Sequence, residues 1–413
     1  MARLPGGLTA WRGRRLLGNL PEPRRSGLPL VGASRHAALH SLVLDAVKHA
    51  DVAFPAAVRL GGAPTARLTA GELVIGLPLV AGLPADQLRA VLAHELALPP
   101  SRHPDLVRGL LNARLHEPEP GAPGASGAPA TAANRHARLL AATGGLLGEA
   151  ERVRDAAAVN AVGGGLGAVE DAALALLRAA AIEAVFTAFA AAEGTPEVDG
   201  LPRRVADLHA GWRLRLAEWG APAHDLTAVL AALPDRHPGL AAELRSTAGA
   251  DRPVALAADS VALDELSAEE EQALAADVLT GDLPWTRFAD LPVAVYLAEV
   301  QRRAREYVEA VQAVLGRAPD GRDELAGTLL RRPVDVERAR RGLPPATEDD
   351  DRSAPPWMGA TLLAVVVEYT LLRRGWRRTH PLLPRRLTGP DDAALDLNEL
   401  VRRPEELSRY LRD

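Results

Sequence analysis

A histidine followed directly by a glutamate, His94-Glu95, sits near the end of an amphipathic stretch, Gln87 to Leu98. Such a pair on a helix can serve metal-assisted hydrolysis. The imidazole binds a metal, and the carboxylate takes a proton from metal-bound water. That chemistry needs a second imidazole four residues on, because side chains at i and i+4 share one helix face. Position 98 is leucine, which cannot ligate. The chain has no cysteine, so thiol nucleophiles, disulfides and thiolate ligands are excluded, and His, Asp and Glu remain as metal ligands. With 11 histidines in the chain, one His-Glu pair is expected by chance about once, so its setting must carry the argument. His103, His116 and His136 are candidate substitutes for the missing imidazole. The plainer reading of all three is surface histidines.

The elements around the pair follow from periodicity. Arg35 to His49 has apolar residues at helical spacing, and Ala57 to Leu60 and Leu73 to Leu77 read as short strands about the turn Gly61 to Pro64. Pro84 opens the helix that carries His94, and Pro99-Pro100 stops it. Glu117 to Ala130 is rich in Gly, Pro and Ala and reads as a loop. Beyond it the period is helical over Arg135 to Val162, Gly167 to Glu193, Pro202 to Trp219 and Asp225 to Leu233. Further helices are expected over Ala268 to Thr280, Val293 to Leu315 and Gly359 to Gly375. An acidic run, Glu348 to Arg352, reads as a linker. The expected fold is mostly α (α+β), with a small sheet in the N-terminal third.

The run Leu88-Arg89-Ala90-Val91-Leu92-Ala93-His94-Glu95-Leu96, preceded by Leu73 to Leu79, resembles the strand and active-site helix of the HtpX-like and CAAX-prenyl-protease zinc metallopeptidases. Glu151-Arg152-Val153-Arg154-Asp155, followed by Ala156-Ala157, is similar to that family's second motif. Asp235-Arg236-His237-Pro238-Gly239-Leu240 is similar to its His-Pro-Pro segment, one proline short. The motifs come in family order over Gly27 to Arg245. The resemblance implies a zincin-like domain over residues 27–248, after an arm (1–26) and before a helical extension (249–413). It places His94 and Glu151 as metal ligands, Glu95 as general base and Asp155 as the carboxylate that steadies a ligand. It gives His237 a place in the catalytic site, and Thr65, Ala66 and Arg67 the strand that receives substrate. Glu151 and Asp155 read equally well as a helix-surface ion-pair network with Arg152 and Arg154.

The departures are Leu98, the Ala97-Leu98-Pro99-Pro100 sequence that follows the helix, and Thr65 where the family carries asparagine. Two ligands do not hold zinc, so no resident cofactor is expected unless a substitute ligand is recruited. The resemblance therefore implies a pseudoprotease that keeps a peptide-binding cleft, partnered by a peptide, a protein or an intact homologous peptidase subunit. An active zinc endopeptidase with a non-standard ligand set and a structural helical scaffold are the alternatives. With 48 basic and 53 acidic residues intermixed, and aromatics at 3%, nucleic acid is not an expected partner. Ala172 to Ala192 and Met358 to Leu372 are apolar but carry charges. Both read as core helices rather than membrane spans, and a cytoplasmic location is expected.

Overall fold

The computed structural model describes residues 27–69, 71–98, 107, 128–165, 167–219, 237–248, 261–346, 350–351 and 354–412. About 60% of the chain is helical and its few sheets are small, a mostly α (α+β) protein. Two compact units form, one from residues 1–194 and 206–282, the other from 195–205 and 283–413. Residues 261–282 thus fold with the first unit, past the expected boundary at 249. The reason is local: Asp277 Oδ2 accepts the amides of Gly62 at 2.9 Å and Ala63 at 3.3 Å.

The first unit opens with helix α1 (Ala37–Ala50) and a three-stranded sheet, β1 (Ala57–Gly61), β2 (Ala66–Thr69) and β3 (Glu72–Gly76). The spatial order is β1-β3-β2, with β1 parallel and β2 antiparallel to β3, so β2 is an edge. Gly71, at φ +81°, supplies the left-handed residue of the β2–β3 turn. Gly76 ends β3 where a Cβ would come within 1.9 Å of the Ala63 carbonyl oxygen, so only glycine fits. Short α2 (Leu77–Gly82) leads into α3 (Ala85–Leu96), which packs on β2 and on the long helix α4 (Ala128–Ala161). Helix α4 begins inside the stretch expected to be loop, and residues 117–127 lie outside the described set.

Helix α5 (Ala168–Glu193) is the one described helix long and apolar enough to span a membrane, yet 56% of its apolar window is buried within the protein. It packs on α3 and against α6 (Leu208–Trp219), and α7 (Ala241–Ala248) and α8 (Ala268–Val278) complete the unit. Helix α6 starts six residues after the expected Pro202, because residues 201–205 form strands. Phe186, Phe189, His209 and Trp212 make an aromatic core, in which His209 Nε2 lies 2.8 Å from the Gly62 carbonyl. The expected helix Asp225 to Leu233 lies outside the described residues.

In the second unit, paired strands β4 (Glu197–Val198) and β5 (Leu201–Pro202) precede β6 (Arg204–Val205), which pairs with β7 (Trp285–Thr286). Helices α9 (Val293–Leu315), α10 (Arg322–Arg331) and α11 (Pro333–Arg340) surround α12 (Pro356–Arg373). The apolar run Leu362 to Val367 on α12 is buried in their core. Its one buried charge, Glu368, pairs with Arg378 at 2.7 Å. Strands β8 (Arg377–Arg378), β9 (Arg386–Thr388) and β10 (Ala394–Asp396), then helices α13 (Leu397–Leu400) and α14 (Pro404–Arg412), close the unit.

Candidate functional site

Helix α3 stops at Leu96, two residues short of the sequence expectation. Pro99 bars helical geometry at Leu98 and lacks the N–H that Glu95 would need, so Ala97 turns extended at φ −68°, ψ 137°. Leu98 therefore lies off the helix, and the i+4 relation to His94 is lost in backbone as well as in residue type. In a continuous helix the Leu98 amide would take the His94 carbonyl. Instead Arg154 of α4 donates its Nε to that carbonyl at 2.9 Å. The service is returned: Arg89 of α3 donates to the Ala161 carbonyl at the end of α4, at 2.8 Å. The two helices thus run antiparallel, each capping the other's C-terminus with a guanidinium.

On α4 the spacing i, i+3, i+4 puts Glu151, Arg154 and Asp155 on the face toward α3. All three are buried, as are His94 and Glu95, and Asp155 is only 2% exposed. The alternative of a surface ion-pair network is thereby corrected: Arg154 is inside and only Arg152 is exposed. His94 Nε2 lies 3.4 Å from Asp155 Oδ1 and 3.6 Å from Glu151 Oε2, aligned as a hydrogen bond with neither. His237 approaches from the start of the α7 segment, its Nδ1 3.1 Å from Asp155 Oδ1. A carboxylate only accepts, so Nδ1 carries the proton. Gly239 donates its amide to Asp155 Oδ2 at 2.8 Å, so close that a Cβ there would meet the same oxygen at 2.8 Å. A proline at this position, having no amide hydrogen, could not make this contact.

Electrostatics follow from burial. Burial first, then the Arg154 guanidinium, pushes His94 down to about 3, so its imidazole is neutral and keeps a lone pair. Burial pushes Asp155 up, but the imidazoles of His237 and His94 outweigh it and hold the carboxyl at about 2.

Glu95 is held at both ends. One oxygen accepts the amide of Leu68 from β2 at 3.1 Å, and the other is paired with the Arg154 guanidinium. Arg154 also reaches Glu151 Oε1 at 3.5 Å, on the side away from His94. Thr65 directs its carbonyl at Gly76 of β3, so its alternate neighbours Ala66 and Leu68 direct their backbone groups outward, along the edge that α3 flanks. Of the residues singled out from sequence, His94, Glu95, Glu151, Asp155 and His237 come together, with Ala66 and Arg67 on the adjoining strand and Thr65 just before it. His103, His116 and the side chain of His136 lie outside the described residues.

A tetrahedral zinc with bonds near 2.0–2.2 Å spaces its ligand atoms about 3.3 Å apart. The separations around His94 Nε2 are of that size, and the ring nitrogen has no hydrogen bond, so the residues present fit a divalent metal. No family model, curated protein or solved structure matches this chain.

Proposed function

We propose that the chain is a degenerate, zincin-like member of the metallopeptidase type it resembles: a pseudoprotease that holds extended polypeptide without hydrolysing it. The observation behind this reading is the double commitment of Glu95. A general base must reach the water it deprotonates. Here that movement would break a buried ion pair with Arg154, a loss worth about 3–5 kcal/mol, and release the Leu68 amide as well. Leu98 offers no second imidazole, and the truncated helix takes that position off the His94 face. What remains is the outward edge of β2, where the backbone of Ala66 and the carbonyl of Leu68 have no partner among the described residues. An added strand would pair there.

In this reading the partner is a peptide segment or an intact homologous peptidase subunit, and the setting is the cytoplasm. Anisotropy of fluorescein-labelled, unfolded β-casein mixed with the full chain tests it. Saturable binding is expected, weakened at least tenfold by Ala66→Pro, which removes an outward amide from an edge strand without breaking the ladder. Absence of binding would favour the structural-scaffold reading and overturn this one.

A further inference from the structure

Among the described residues one group of side chains has metal-ligating spacing: His94, Asp155 and His237, whose ligand atoms all lie within 4.8 Å of one another. The resemblance assigns different work to two of them, treating Asp155 as a support and His237 as part of the catalytic site. We infer that His94, Asp155 and His237 form a three-ligand site for a divalent metal of the zinc class, one that is not hydrolytic because Glu95 is held by Arg154.

Three observations converge on it. His94 Nε2 is buried without a hydrogen bond and faces two carboxylate oxygens, at 3.4 and 3.6 Å. A buried polar atom left so costs stability unless something else occupies its lone pair. Next, the donors are two imidazoles and one carboxylate, a set that suits zinc better than magnesium or calcium. Finally, the nearest fixed cation does not block the centre. Arg154 touches Glu151 through Oε1, while Oε2 is the oxygen turned toward His94.

The proton balance is simple. His237 donates from Nδ1 to Asp155 Oδ1 in the metal-free form, so ligation requires that proton to move to Nε2 of the same ring, which stays neutral. Three protein ligands leave one tetrahedral position, which water would fill. The metal would staple α3, α4 and the segment before α7, making good in mid-unit what the shortened α3 gives up. The missing second imidazole is then supplied by His237, which lies 143 residues beyond His94 and is held in place by Gly239 at Asp155.

Zinc chloride titrated into chelator-treated, full-length protein by calorimetry tests this, with thermal melts alongside. Expected are one zinc per chain, submicromolar affinity and a raised melting temperature. His237→Ala and Asp155→Asn should each weaken binding at least 100-fold, with His40→Ala unchanged as control. No heat and no melting shift for the parent, or His237→Ala within threefold of it, would overturn the site. Should these variants fail to fold, zinc-edge X-ray absorption on the parent decides: two imidazoles and two oxygens at about 2.0 Å are expected, and a single imidazole refutes. Casein binding by the chelator-treated protein is a separate readout, so failure of the metal site and failure of the peptide reading are distinguishable.

Discussion

Replacing Arg154 with methionine removes a cation that ties α3, α4 and, through Glu95, the β2 edge together. Methionine keeps most of the buried stem, so the loss is chiefly electrostatic. Breaking a buried ion pair with Glu95 costs about 3–5 kcal/mol. The His94 carbonyl is orphaned too, for about 1–3 kcal/mol if no water reaches it. Partial relaxation of Glu95 toward solvent offsets some of this, and we expect a net loss of about 4 kcal/mol. For a unit of about 270 residues, at about 2 °C per kcal/mol, that is roughly 8 °C in melting temperature. Urea unfolding of the chelator-treated protein at pH 7 reads it, provided the slope with urea is unchanged. Adding Glu95→Gln should return at least about 1 kcal/mol, since the partner left behind is then neutral. A loss below about 1 kcal/mol in Arg154→Met would refute the claim that Arg154 holds Glu95 and caps α3.

The remaining predictions probe other parts of the same unit. Leu98→His should leave zinc affinity within threefold of the parent, because position 98 lies off the helix behind Pro99; a tenfold gain by calorimetry would show that the helix can extend. The unit should lose stability as pH falls from about 6.5 toward 4. Buried His209 is held to about 4, so below the ordinary 6.5 the unfolded chain binds a proton that the folded chain refuses. At pH 5 the expected loss is about 2 kcal/mol from this group, with His94 acting in the same direction. Urea midpoints at pH 7 and 5 measure the total, and His209→Gln should flatten the profile. Gly76→Ala should cost at least about 2–3 kcal/mol, since the new methyl meets backbone at 1.9 Å rather than a movable side chain; a melting temperature within 2 °C of the parent would contradict that packing.

Much of the scaffold was legible in the sequence because helical period and proline punctuation are local signals. Helix α9 spans Val293 to Leu315, as its apolar repeat predicts. Less local features were not readable. Strand β2 has no apolar run of its own, so only the resemblance places a strand there, at Thr65 to Arg67; it forms at Ala66–Thr69 because β3 offers a partner. Pro99 is visible as a stop, but the restriction it places on the residue before it ends the helix two residues sooner than the apolar period predicts. The meeting of Glu151 and Asp155 with His94 could be anticipated from motif order. The two residues that define the site's character could not. Arg154 looks like any helix-surface arginine until α3 is seen to end beside it, and Gly239 looks like a lost proline until Asp155 is seen against its amide. A clue was available in each case: an arginine between two acidic motif positions, and a glycine where a rigid residue is expected.

The central claim is that Glu95, paired with Arg154 and the Leu68 amide, does not act as a general base. Prolonged incubation of unfolded β-casein with zinc-supplemented protein, parent against Glu95→Gln, measures this most directly by mass spectrometry of the fragments. We expect the two to be indistinguishable and neither to exceed a no-protein control. Fragments produced by the parent and absent with Glu95→Gln would contradict the account and identify a working peptidase.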